Sequence, residues 1–410
     1  MNLAFQIARR YLFSKKSTNA INIITLVSMG GIMVCSAAFI LILSVFNGFE
    51  GLVISLYDTF YADIKIEAKE GKVFTISDEK IAEITELKGV NAVSKVLEEN
   101  ALLMYSDRQH IATVRGVDEN YIKVTGIDTS IAFGDSFVVD LEGQQYAILG
   151  SGIDQALEVS LKDPLNKISV FMPNRGKRTS FFPVDEFRKR EIMAWGIFAI
   201  QDDFDNQFMF VPLEFVQEIL EYEDQISSIE VGLAPSARQD RVIREIEQIM
   251  GENFDVLSKY QQNAFLYRIM NIEKLAVYLI LSFVLLIVAF NMIGSLSMVV
   301  IDKKEDIAIL KTMGATDGLI KRIFLFEGVM QSLLALSIGF GIAITLLLAQ
   351  IHYGIIEIQG SGTFVVQYYP VEMEPGDFII VAVIVILISV FASWFPASRA
   401  ARQSQLIDEE

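Results

Sequence analysis

Residues Asp302 to Arg322 read DKKEDIAILKTMGATDGLIKR, a segment crowded with charge between two apolar stretches. Ile307, Leu310 and Met313 recur at helical spacing, with Lys303, Lys304, Glu305, Asp306 and Lys311 around them. Residues three and four apart share one helix face. An apolar stripe with a charged rim performs no bond chemistry; what it can do is dock. Gly314 can take the left-handed conformation that ends a helix, and Thr316 or Asp317 can cap the next one. The expected product is a short rigid helix, either a docking element for a cytosolic partner or a connecting segment lying on the membrane surface.

Other residue sets that carry chemistry are missing. No GxxxxGK[ST] occurs, and the nearest fragment, RGKRT at 175–179, lacks the upstream glycine and the following hydroxyl residue. The chain therefore cannot cradle a nucleotide phosphate alone, and any ATP and Mg would be used by a partner. HExxH and GxSxG are absent, and no nucleophile–base set is visible. One cysteine, Cys35, permits no intrachain disulfide or thiolate metal site, and His110 and His352 are too scattered for a metal cluster.

The elements that must hold the docking helix are membrane spans. Apolar residues make up 52% of the 410-residue chain and charged residues 21%, and mean hydropathy is +0.42. Those totals fit spans combined with a soluble portion. Four apolar runs, within 21–47, 272–301, 323–351 and 378–397, are long enough to cross a bilayer at about 20 helical residues each. The first run is too long for a signal-peptide core and no cleavage site follows it.

Loop charge orients the spans, because Lys and Arg stay cytoplasmic. Arg9, Arg10, Lys15 and Lys16 precede the first span without an acid, and Lys303, Lys304, Lys311, Lys321 and Arg322 fill 302–322. The loop 352–377 has neither Lys nor Arg, and Arg399 and Arg402 follow the last span. Both termini (1–20 and 398–410) and the 302–322 loop are thus expected inside, with 48–268 and 352–377 outside. Between Glu50 and Arg268 stand 22 Lys and Arg against 38 Asp and Glu, nearly all of the −17 net charge, which excludes nucleic acid as a partner.

The outer block reads as α+β. YADIKIEA and KISVFM alternate like strands, and DRVIREIEQIM puts Val242, Ile243, Ile246 and Ile249 on one helical face. At the N-terminus Leu3, Ile7, Tyr11 and Leu12 share a face beside basic residues. That pattern suits an amphipathic helix in the cytoplasmic membrane surface or a plain basic tail. Glu327 is the exceptional ionisable residue within the spans, which argues against a proton- or ion-coupled carrier.

Several stretches resemble the MacB-type ABC transporter permeases, and most closely the lipoprotein-releasing (Lol) permeases of Gram-negative bacteria. They are SVFNGFE at 44–50, VRGVD at 114–118, AILGSGIDQALEVSLKDPLNKISVFMP at 147–173 and DIAILKTMGA, together with YYPVEMEPGDF and FPASRAAR near the end. The resemblance implies a membrane protein of four transmembrane helices, with a large α+β periplasmic domain inserted between the first and second. It also implies a second permease copy or paralogue and two copies of a cytoplasmic ABC ATPase. Glu305, Ile307, Leu310, Lys311, Met313 and Gly314 would meet that ATPase. A triacylated lipoprotein would be lifted from the outer leaflet and passed to a periplasmic carrier.

Phe46, Asn47, Phe49 and Leu52, with Leu266, Ile269 and Met270, would line the receiving cavity or simply pack. Asn47 and Gly48 would form a bend or a helix cap. In one branch of the family a β-hairpin hook captures the carrier; here that is 171–183, with Arg175, Lys177 and Arg178 as a basic tip or a solvated loop. The chain departs from the family pattern in its acidic tail and in Thr316-Asp317-Gly318 after the coupling-helix glycine. A permease that transmits ATPase motion to a cell-wall hydrolase, or serves other export, is the alternative.

Overall fold

The computed structural model describes residues 3–13, 19–134, 136–141, 143–161, 167–173, 187–357 and 368–402. They form two units, one from residues 3–52, 268–357 and 368–402, the other from 53–267.

The first unit is helical: α1 (Leu3–Phe13), α2 (Asn19–Phe60), α10 (Ala264–Asp302), α11 (Lys304–Thr312), α12 (Asp317–Tyr353) and α13 (Pro375–Arg402). Of these, α2, α10, α12 and α13 are long and apolar enough to cross a membrane. No helix cap falls at Asn47-Gly48; α2 runs on to Phe60, and α10 begins at Ala264. Phe39 and Leu43 of α2, Met292 and Leu296 of α10, Ala335 and Ala343 of α12, and Val381 and Val385 of α13 share one core. Small residues let the backbones close up, as apolar packing in lipid requires. A methyl group on Gly339 of α12 would lie 2.5 Å from the Met33 carbonyl oxygen of α2.

The N-terminal helix also packs rather than floating on its apolar side. Ala4 and Ala8 of α1 are buried against Ile323 of α12, with Ile7 and Tyr11 alongside, while Leu3 and Phe5 are exposed. Two alanines permit close helix contact, and the amphipathic pattern alone did not show which face that would be.

The second unit is built on β1 (Ile64–Ala68), β2 (Phe74–Thr75), β3 (Val90–Tyr105), β4 (Arg108–Val117), β5 (Ile131–Phe133), β6 (Asp140–Leu141) and β7 (Gln144–Gly150). It continues with β8 (Ile168–Pro173), β9 (Phe187–Phe198), β10 (Phe208–Pro212), β11 (Gln225–Ile226), β12 (Ser228–Leu233) and β13 (Phe254–Ser258). Eleven described strands form one mixed sheet, with a main path β13-β1-β12-β3-β4-β10-β7-β9-β5. The longer helices of this unit are α3 (Asp78–Thr85), α5 (Ser151–Leu157), α7 (Leu213–Leu220) and α8 (Gln239–Met250), and the single-turn α4 (Tyr121–Val124), α6 (Asp202–Asp205) and α9 (Lys259–Gln262) join them. Val242, Ile246 and Met250 of α8 are buried, with Ile243 and Ile249 only partly so, which turns the expected face by about one position.

Three features fix this unit. Arg115 on β4 is buried beside Glu230 of β12 and 3.2 Å from Glu98 of β3, and its guanidinium lies 5.0 Å above the Phe60 ring. A buried cation persists only when paired. Burial pushes the Glu230 carboxyl up while the guanidinium pulls against it. Within AILGSGIDQAL, a methyl group on Gly150 would strike the Asp205 carbonyl oxygen at 2.1 Å, and one on Gly152 the Asn206 amide oxygen at 2.0 Å. Asp205 accepts from the Ser151 hydroxyl at 3.0 Å and the Ile200 N–H at 2.9 Å. The two ends of the unit are also tied together. The Lys259 ammonium stands 3.3 Å from Asp63 and 3.4 Å from Asp58, and Gln262 donates to the Ala62 carbonyl at 3.0 Å.

Candidate functional site

The short helix α11 is held from inside. Ile307 of α11 is 5% exposed and packs with Val299 and Val300 of α10, Ile320 and Phe324 of α12, and Ala397 and Ala400 of α13. Leu310 is half-buried beside Ile323 and Leu319. Lys311 donates to the Ala401 carbonyl at 3.3 Å and pairs with Asp317 at 2.8 Å. Gly314 has φ +91°, the left-handed turn expected of it. Thr316 then takes the N-cap position of α12 in an extended conformation, without a side-chain capping bond.

Of the six residues expected at a partner surface, Ile307, Leu310 and Lys311 therefore anchor α11 to the bundle. The Ile307 side chain is enclosed where three helices end, whereas Leu310 and Lys311 are half-buried. Glu305, Met313 and Gly314 are on the open side, and Ile309 joins them at 58% exposed, with Met313 at 79%. Glu305, Ile309 and Met313 are spaced by four and lie on one face. That spacing was available in the sequence, but the Ile307–Leu310 stripe satisfies the same test and masked it. Near by, the Lys303 ammonium lies 5.5 Å above the Tyr11 ring, and burial, with Asp306 and Glu327 close, pushes the Tyr11 hydroxyl up to about 12.

At the other end of the bundle the expected cavity residues divide. Phe46, Leu52 and Leu266 are half-buried, Ile269 is exposed, and Phe49 packs edge-on to Tyr369 at 5.6 Å. Asn47 and Met270 are buried. Asn47 donates to the Asp377 carboxylate at 2.7 Å, which the Tyr278 hydroxyl also reaches. Gly48 is required by closeness rather than by a bend: a methyl group there would lie 2.4 Å from the Pro370 carbonyl.

The proposed hook falls between β8 and β9, which pair antiparallel from Ile168↔Ile192 to Pro173↔Phe187. Arg175, Lys177 and Arg178 lie outside the described residues. On the stem, Arg188 pairs with Glu221 and Arg190 with Glu218 of α7.

Residues 25–249 match the sequence profile of the MacB-like periplasmic core domain, more than half of the chain, and residues 278–405 match that of the FtsX-like permease C-terminal region. The chain belongs to the MacB-type permease family. The lipoprotein-releasing system transmembrane protein LolE of Haemophilus influenzae is 27% identical, covering 98% of this chain and 98% of its own. LolC of Neisseria meningitidis serogroup B is 24% identical over 97% of this chain and 96% of its own. The periplasmic region of MacB from Actinobacillus actinomycetemcomitans covers 50% of this chain at 13% identity with a TM-score of 0.36, too loose an overlay for residue correspondences. As a MacB-type permease the chain is a membrane component.

Proposed function

We propose that this chain is the permease subunit of an ABC transporter that extracts lipoproteins from the outer leaflet of a bacterial inner membrane. The observation that carries the reading is similarity along nearly the whole chain to LolE and LolC. Both termini and α11 face the cytoplasm, and residues 53–267 the periplasm. A separate ATPase, two copies for a pair of permeases, docks on Glu305, Ile309, Met313 and Gly314. Its ATP-driven closing is passed through α11, wedged among three span ends by Ile307, to the outer domain.

The work to be done is physical. Several acyl chains must leave lipid at about 0.8 kcal/mol per CH₂, so a receiving apolar surface and an energy source are both needed. Phe46, Phe49, Leu52 and Ile269 supply candidate apolar contacts at the outer end of the helical unit. The carrier is met by Arg175, Lys177 and Arg178, in the stretch between β8 and β9 that lies outside the described residues. Reconstitution of the permease with its ATPase and a labelled triacylated lipoprotein tests the scheme. ATP-dependent transfer to a soluble carrier is expected; ATPase association with no release would favour transmission to another periplasmic partner.

A further inference from the structure

Asp377 opens α13 with its side chain enclosed, 3% exposed, and Asn47 on α2 is equally hidden at 2%. The Asn47 amide donates to one carboxylate oxygen at 2.7 Å and the Tyr278 hydroxyl of α10 to the other at 2.5 Å. Three helices thus meet on one buried carboxylate. The segment just before it, 368–374, lies across α2. Its Glu372 N–H donates to the Ser44 carbonyl at 2.8 Å, and Pro370 rests where only a glycine, Gly48, leaves room. Lys274 of α10 closes the cluster from outside, 3.2 Å from Glu374 and 3.8 Å from Glu50 of α2.

Apolar helix faces slide over one another in lipid with little loss, because hydrocarbon replaces hydrocarbon. Pulling Asn47 or Tyr278 from Asp377 would leave a carboxylate, an amide or a hydroxyl without its bond in an apolar setting, which is strongly opposed. Movement driven from the cytoplasmic end therefore takes place elsewhere. We propose that Asp377 is a positioning residue for lipoprotein release: it binds the outer ends of α2, α10 and α13 into one block that stays closed throughout the ATPase cycle. It touches no cargo. The inference deepens the lipoprotein-release reading and rests on it for one of its two readouts.

The test uses the full permease–ATPase complex in lipid nanodiscs, in a Cys35→Ser background, with spin labels at the exposed positions Ile42 of α2 and Leu279 of α10. With the native clamp, the distance between labels should be the same without nucleotide and in the vanadate-trapped state. Asp377→Leu should broaden it in both states and lower lipoprotein released per ATP by about tenfold, with ATP hydrolysis within about twofold of the parent. Gly48→Ala, whose methyl group displaces the 368–374 segment and so draws Asp377 away from its donors, should do the same should Asp377→Leu not assemble. The exchange Asn47→Asp with Asp377→Asn returns one carboxylate to the cluster and should restore both readouts. Separation of the labels in the trapped parent, or an unchanged distance in both Asp377→Leu and Gly48→Ala, would overturn the proposal. Absence of release by the parent would count against the lipoprotein reading alone, since the distances still judge the clamp.

Discussion

The two ends of the helical unit are fastened by opposite means. At the α11 end the fastener is dry: Ile307 sits among Val299, Phe324 and Ala397, and the polar bonds of Lys311 lie at its rim. At the α13 start it is polar, with Asn47, Tyr278 and Asp377 joined inside an apolar bundle. A dry joint tolerates small slips and suits a place where a partner pushes. A hydrogen-bonded joint is all-or-none and suits a place that must hold.

Changes at the two joints separate these behaviours. The largest effect should come from Ile307→Ala, which leaves a cavity among three helix ends and should cost roughly 3 kcal/mol of stability. Thermal unfolding in detergent should show it, and ATPase capture should weaken as α11 loosens. A stability equal to the parent would mean that α11 is not wedged as described. Next, Asn47→Leu strips one donor from the buried carboxylate and should cost about 2 kcal/mol. The loss should shrink when Asp377→Asn is added, a non-additivity that an apolar contact would not give.

Gly314→Ala should cost about 1 kcal/mol through its positive φ and should blunt coupling without unfolding the bundle. The smallest thermal effect, within about 0.5 kcal/mol, is expected for Ile309→Asp with Met313→Asp, since both side chains are open to solvent. Yet that pair should abolish co-purification with the ATPase. Retained ATPase binding would move the docking face elsewhere on the unit.

Much of the first joint was legible and little of the second. A short helix stopped by Gly314 follows from local spacing, and Gly314 does adopt the left-handed turn. Which of two overlapping stripes, Ile307/Leu310 or Ile309/Met313, faces inward depends on where α10, α12 and α13 end, which no local pattern records. Asn47 and Asp377 stand 330 positions apart, and a pair that distant leaves no periodicity. Gly48 looked like a bend because glycine commonly marks one; here it marks a close approach by the Pro370 backbone. In the outer domain the strands over YADIKIEA and KISVFM appear where alternation put them, whereas the Arg115–Glu230 pair joins β4 to β12 across two strand pairings. The helical pattern of α1 was legible, with Ile7 and Tyr11 on its packed side, but its closest contacts are made by Ala4 and Ala8, which hydrophobic patterning underweights.

In the outer domain, β1 pairs with both β12 and β13, so its first strand is completed by its last two. Lys259, Asp58 and Asp63 then staple the places where the chain arrives and departs. Once this sheet closes, α2 and α10 are tethered by a few residues instead of by a free loop of about two hundred. The entropy of closing so long a loop has then already been spent in folding the sheet, and each helix meets the other at high effective concentration. Folding of the outer sheet thereby favours the meeting of α2 and α10 in the bundle.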